Sequence, residues 1–133
     1  MNLLNTMEIS ASGLTAQRLR LDIIANNLAN VETTRTNDGT PYRRRVPVFR
    51  EILDQFTGAP KGVEVMGIIR DNSPFKMVYD PGHPDANPEG YVLYPNVNPV
   101  IEMTDMISAT RSYEANLTLI TSAKSMFLKA LEI

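Results

Sequence analysis

Ile24-Ala25-Asn26-Asn27-Leu28-Ala29-Asn30-Val31-Glu32-Thr33-Thr34 decides how the chain divides. It closes a run of helical periodicity and opens a stretch crowded with proline and glycine. Upstream, Leu4, Met7, Ala11, Leu14, Arg18, Leu21, Ala25 and Leu28 follow alternating steps of three and four, a heptad seam with one polar interruption. Ile9, Ile24 and Val31 widen the apolar surface, and Glu8, Gln17, Arg20, Asp22 and Asn27 form the opposite face. The pattern predicts a helix from about Asn5 to Asn30, ~40 Å long at ~1.5 Å per residue. Asn30, with Thr33 and Thr34 beyond it, suits a helix end. The three asparagines Asn26, Asn27 and Asn30 fall within five residues. That density favours specific hydrogen bonding to a neighbour over solvated helix-end residues.

Working outward, all nine prolines lie between Pro41 and Pro99, and every glycine but Gly13 lies between Gly39 and Gly90. Helix breakers are absent from both ends and packed into the middle. The expected class is α+β. Long N- and C-terminal helices pair as an antiparallel coiled coil, and a small Pro/Gly-rich β insert hangs at their far end. The expected units are residues 1–31, 32–99 and 100–133. Within the insert, Asn37-Asp38-Gly39 reads as a turn and Glu51 to Phe56 as a short helical turn. Val63 to Ile69, Phe75 to Tyr79 and Tyr91 to Tyr94 read as strands. Pro95 to Pro99 reads as an extended linker.

From Ile101 there is neither proline nor glycine. Met103, Met106, Thr110, Tyr113, Leu117, Ile120, Lys124, Phe127 and Leu131 make a second seam, with Thr104 or Asp105 as its cap. The chain ends in apolar residues through Ile133, so that end is expected to be buried. Two lone helices have no third layer, and the pair is expected to be stabilised by neighbouring copies.

The chain has 133 residues, 43% of them apolar, a net charge of −2 and no cysteine. It is no disordered polyelectrolyte, and it lacks disulfides and thiolate metal ligands. No apolar run approaches the ~20 residues of a membrane span. Leu3-Leu4 is followed at once by Asn5, Thr6 and Glu8, which is no cleavable leader. Between Arg35 and Arg50, five arginines face one acid. A nucleic-acid patch is disfavoured because the rest of the insert carries eight acids, so these arginines read as a charged strand edge or a contact with an acidic neighbour. His83, the sole histidine, lies between Asp80 and Asp85, a poor ligand set for a transition metal. Nothing nominates a catalytic residue or a cofactor.

The Ala25 to Thr33 run resembles the signature of bacterial flagellar rod and hook proteins. Further matching runs are Ser12 to Arg18, Pro41 to Arg45, Val78 to Asp85, Glu89 to Val92, Tyr94 to Val100, Ile107 to Asn116 and Ala123 to Met126. Two of them, Asp80-Pro81-Gly82-His83-Pro84-Asp85 and Tyr94-Pro95-Asn96-Val97-Asn98-Pro99, resemble the proximal-rod branch of that family. The resemblance implies a structural subunit exported unfolded by the flagellar type III apparatus, without a cleaved signal. It implies helical assembly across the periplasm with copies of itself, with other proximal and distal rod proteins and with the rod-base adaptor. The terminal helices would form the inner layer around the export channel, with the insert outside, as a drive shaft for motor torque. No cofactor, nucleic acid or small-molecule substrate is implied. The expected assembly interface is Leu14, Leu21, Ala25, Asn26, Asn27, Leu28 and Asn30 on the first helix, and Tyr113, Leu117, Ile120 and Phe127 on the second. A soluble coiled-coil adaptor or export chaperone would instead form a small cytoplasmic oligomer. A carbohydrate-acting enzyme would need paired carboxylates in a cleft.

Overall fold

The computed structural model describes residues 2–133. The first residue of the expected 1–31 unit therefore lies outside the described residues. Helix α1 spans Leu3–Ala29 and helix α2 spans Pro99–Leu131. Between them come strands β1 (Arg45–Leu53), β2 (Pro60–Arg70), β3 (Lys76–Tyr79) and β4 (Tyr91–Tyr94). At ~1.5 Å per residue the helices are ~40 and ~50 Å long. No helix of the described residues is long and apolar enough to cross a membrane.

The helix ends have local causes. Asn2 caps α1 by accepting from the Leu4 N–H at 3.1 Å, and Asn30 closes it. Helix α2 begins nearly two turns earlier than a cap at Thr104 or Asp105 would place it. Its cap is Asn98, whose side chain accepts from Val100 N–H at 3.0 Å, and Pro99 takes the first helical position, where no N–H is needed. The end of the Pro95 to Pro99 linker is thus the start of the helix.

The two sheets are separate antiparallel pairs, β1 with β2 and β3 with β4. Glu51 to Leu53 continue strand β1 rather than forming a helical turn, because the ladder to Val63, Gly62 and Pro60 satisfies their backbone. The reversal follows at Asp54, whose carboxylate accepts from Phe56 and Thr57 N–H. The loop from β3 to β4 closes where Asp80 N–H donates to Gly90 C=O at 2.9 Å. Gly90 has φ +91°, and a Cβ there would lie 2.8 Å from the Tyr79 ring, so only glycine fits.

The helices run antiparallel, with Gly13 against Asn116, Arg20 beside Asp105 and Asn27 bonded to Glu102. The faces in contact are not the heptad stripes. Helix α1 buries Ser10, Gly13, Ala16, Ile23, Ile24 and Asn27, and α2 buries Glu102, Ala109 and Ala123. Along the expected α1 seam, Leu4, Ala11, Arg18 and Ala25 are exposed, and Met7, Leu14, Leu21 and Leu28 are half-buried. On α2, Met103, Leu117, Phe127 and Leu131 are exposed. Each helix is turned one position, about 100°, from the rotation its stripe suggests. Small residues let the backbones approach, and the buried Asn27 and Glu102 must face each other. The apolar C-terminus stays uncovered within the chain, with Leu131 69% exposed.

The insert does not hang free. Val63 N–H donates to Ser12 Oγ at 3.1 Å, and Val63 to Val65 line a crevice with Ser12, Thr15, Ala16 and Leu19. The β1–β2 hairpin therefore folds back along α1 and supplies part of a third layer.

The close approach at Gly13 is testable. A Cβ there would lie 2.8 Å from Asn116 Nδ2, the movable end of a side chain. Gly13→Ala should be nearly neutral, its helix-propensity gain offsetting that shift. Gly13→Leu should overpack the seam and lower stability by about 1–3 kcal/mol in urea unfolding.

Candidate functional site

The side chains with the most internal bonding gather where α1 ends, α2 begins and β1 sets out. Asn27 is 1% exposed. Its Oδ1 accepts from the Tyr42 hydroxyl at 2.7 Å and the Arg45 N–H at 3.0 Å. Its Nδ2 donates to Arg45 C=O at 2.8 Å and to Glu102 Oε2 at 3.3 Å. All four hydrogen-bonding positions of the amide are filled from within the chain. Within the single chain the amide is thus fully engaged.

Glu102 is fully buried, and its other oxygen, Oε1, is paired with Arg44 Nε. The Arg44 guanidinium also meets Asp71 at 3.3 Å and Asp105 at 3.6 Å. Burial works against its charge, but the bonds and charges of Glu102 and Asp71 prevail and raise its pKa. Asn96 completes the joint. It accepts from the Arg44 N–H at 2.8 Å and donates to the carbonyls of Asp71 and Ser73. One polar junction thus binds both helices, the start of β1 and the segments flanking β3 and β4.

The other nominated residues are placed as follows. Asn26 donates to the Tyr42 hydroxyl at 3.1 Å, and Asn30 donates back to Asn26 C=O at 2.9 Å. Leu14, Leu21, Leu28, Tyr113 and Ile120 are half-buried, and Ala25, Leu117 and Phe127 are exposed. They do not converge on a cavity; they lie along the outer faces of the helix pair. Sequence reasoning missed Glu102, Tyr42, Arg44, Asn96 and Asp71 as a unit. A usable signal was the lone carboxylate in Val100-Ile101-Glu102-Met103, downstream of an arginine run in need of acids.

Among the described residues no group of His, Cys, Asp and Glu could hold a metal ion. His83 Nδ1 accepts from Asp85 N–H at 3.0 Å, and its ring lies edge-on to Tyr94. The Asp85 carboxylate is engaged by Thr34 at 2.7 Å and Arg35 at 3.3 Å. This grouping locks a loop. What the junction can do is mechanical: it resists relative sliding and rotation of the pieces it joins.

Two family models match the chain. The flagella basal body rod protein model covers residues 7–35, and the flagellar basal body rod FlgEFG protein C-terminal model covers residues 89–133. Among relatives, the flagellar basal-body rod protein FlgC of Borreliella burgdorferi is 49% identical, over 100% of this chain and 98% of its own length. The FlgC protein of Bacillus subtilis is 47% identical, over 100% and 99%. That of Salmonella typhimurium is 45% identical, over 100% and 98%.

Two measurements probe the junction. Glu102→Leu removes the buried acceptor shared by Arg44 and Asn27, while Arg44 keeps Asp71 and Asp105 and Asn27 keeps the Arg45 carbonyl, and should lower stability by about 1–3 kcal/mol. Arg44→Met/Glu102→Leu should cost less than the two single changes summed, as a double-mutant cycle in urea would show. The Asp71 carboxyl is held below its ordinary 3.8 by the hydroxyl and N–H of Ser73, then by Arg44. A depressed folded pKa contributes stability that is present above the unfolded value and lost as pH falls through the folded one. Acid unfolding below about pH 3.8 should therefore lose this contribution, and Asp71→Asn should flatten that part of the curve.

Proposed function

The chain belongs to the FlgC family of flagellar basal-body rod proteins, and from that premise we propose that it is a structural subunit of the rod. It is not an enzyme, and it works by assembling with other rod components. The observation that carries this reading is the mismatch between what the helices bury internally and what they leave outside. Apart from Ile23 and Ile24, the residues they bury are small or polar, whereas Ile101, Met103, Ile107, Leu117, Leu119, Phe127, Leu128 and Leu131 stay exposed on α2. Exposed apolar surface on that scale marks an interaction site.

In the assembled rod these faces are covered by helices of neighbouring subunits, packed as coiled coils along the heptad positions. Leu14, Leu21, Ala25, Leu28, Tyr113, Leu117, Ile120 and Phe127 supply the contacts, and Asn26 and Asn30 lie beside them. The neighbours are copies of the chain, other proximal and distal rod proteins, and the rod-base adaptor. The helices form the inner layer around the export channel, and the insert faces outward. The chain arrives unfolded through the flagellar type III apparatus, without a cleaved signal, and completes its folding in the periplasm. Torque passes along the rod because close-packed interfaces resist continuous deformation.

Leu117 is 47% exposed in the single chain, so Leu117→Asp should leave that chain folded, as judged by circular dichroism. It should nevertheless abolish rod assembly in isolated basal bodies, and with it swimming. Leu21→Asp should do the same. Normal swimming in both strains would contradict the proposal.

A further inference from the structure

We propose that the cleft walled by Arg43, Arg45 and Arg70 is a docking site for carboxylates on a neighbouring rod subunit. This rests on the assembly reading above and adds a second, polar contact on the insert. Strands β1 and β2 place Arg45 directly opposite Arg70. Residues opposite each other in an antiparallel pair share a face, and like charges there destabilise the ladder. Further along the same ladder the opposite choice is made: Arg50 stands across from Glu64, and the two form an ion pair. A hairpin selected only to fold would follow the Arg50–Glu64 pattern throughout.

The other arginines of this region have found acids, Arg35 with Asp85 and Arg44 with Glu102, Asp71 and Asp105. Arg45 and Arg70 are exposed and form no ion pair with any described residue. They line a cleft of about 420 Å³ together with Arg43 and Phe75. Arg43 is preset there, donating to the carbonyls of Asp71 and Ser73, with its guanidinium 4.2 Å from the centre of the Phe75 ring. One carboxylate, Asp38, is also on the wall. Three guanidinium groups against it leave a local surplus of positive charge suited to bidentate carboxylates. The chain's net charge of −2 gives no long-range attraction for a polyanion, so a local acidic segment is the fitting occupant. Tyr42, on the same wall, bonds to Asn27, so a neighbour seated in the cleft is coupled directly to the helix pair.

The test reverses the charge at one position. Arg70→Glu replaces a repulsive cross-strand pair with an attractive one, so thermal unfolding of the free chain should shift up or stay unchanged. A motile strain carrying it should nevertheless lose swimming, while Arg70→Lys keeps it. Revertants of Arg70→Glu should carry Asp or Glu changed to Lys or Arg in a neighbouring rod subunit. Normal swimming with Arg70→Glu overturns the proposal, as does equal loss with Arg70→Lys. Should Arg70→Glu unfold the free chain, Arg70→Gln decides: lost swimming supports the site and normal swimming overturns it. Leu117→Asp is scored in the same strain. If it blocks assembly while the Arg70 variants swim, the cleft proposal fails and the assembly reading stands; if both swim, the assembly reading fails as well.

Discussion

Glu102 is a carboxyl side chain with no exposed surface, and the remaining structure is arranged around that fact. An unpaired buried carboxylate is prohibitively costly. Glu102 is tolerable because Arg44 supplies a counter-charge and Asn27 a hydrogen bond. Those partners come from the far end of α1 and the entrance to β1, so meeting them fixes more than one contact. It sets the rotation of α2 about its axis, and Asn27 then sets the rotation of α1. The start of β1 follows, because the amide of Asn27 grips both the N–H and the C=O of Arg45.

That fixed rotation explains the division of labour between the two helix faces. With Asn27 and Glu102 inward, the other buried positions of the helices are Ser10, Gly13, Ala16, Ile23 and Ile24 on α1 and Ala109 and Ala123 on α2. The side chains of the heptad stripes are turned aside and stay exposed or half-buried. Surplus apolar surface is therefore a consequence of the polar junction rather than a defect of packing. It leaves the protein with internal contacts that are directional and specific, and with an outer surface that is largely apolar.

Much of the plan is legible in the chain. The lack of proline and glycine at both ends, with three-and-four spacing, locates α1 and α2 to within a few residues. Alternation in Val63 to Ile69 and Phe75 to Tyr79 locates β2 and β3. Glu51 to Phe56 misleads, because Ile52 and Phe56 are spaced as on a helix while the pairing that makes Glu51 to Leu53 a strand lies across the turn. Asn98-Pro99 held the true start of α2 in a familiar cap signature. Asn27 could be singled out by its neighbours Asn26 and Asn30, but its partner Glu102 lies 75 residues away. The apolar neighbours Val100, Ile101 and Met103 set that acid apart, but nothing local names Asn27 and Arg44 as its partners.

The sequence by itself determined the order of helix, β insert and helix, the existence and spacing of the apolar stripes, and the rod-protein character of the chain. Each depends on residues close together along the backbone, where periodicity and turn chemistry act. Only the tertiary structure decided which face of each helix turns inward and that the hairpin lies back along α1. A stripe records that a surface is to be shielded, not by what. A single position of rotation, about 100°, separates a self-contained pair from one with its stripes outward. That choice was made by the long-range bonds of Asn27, Arg44 and Glu102, which no stretch of sequence contains.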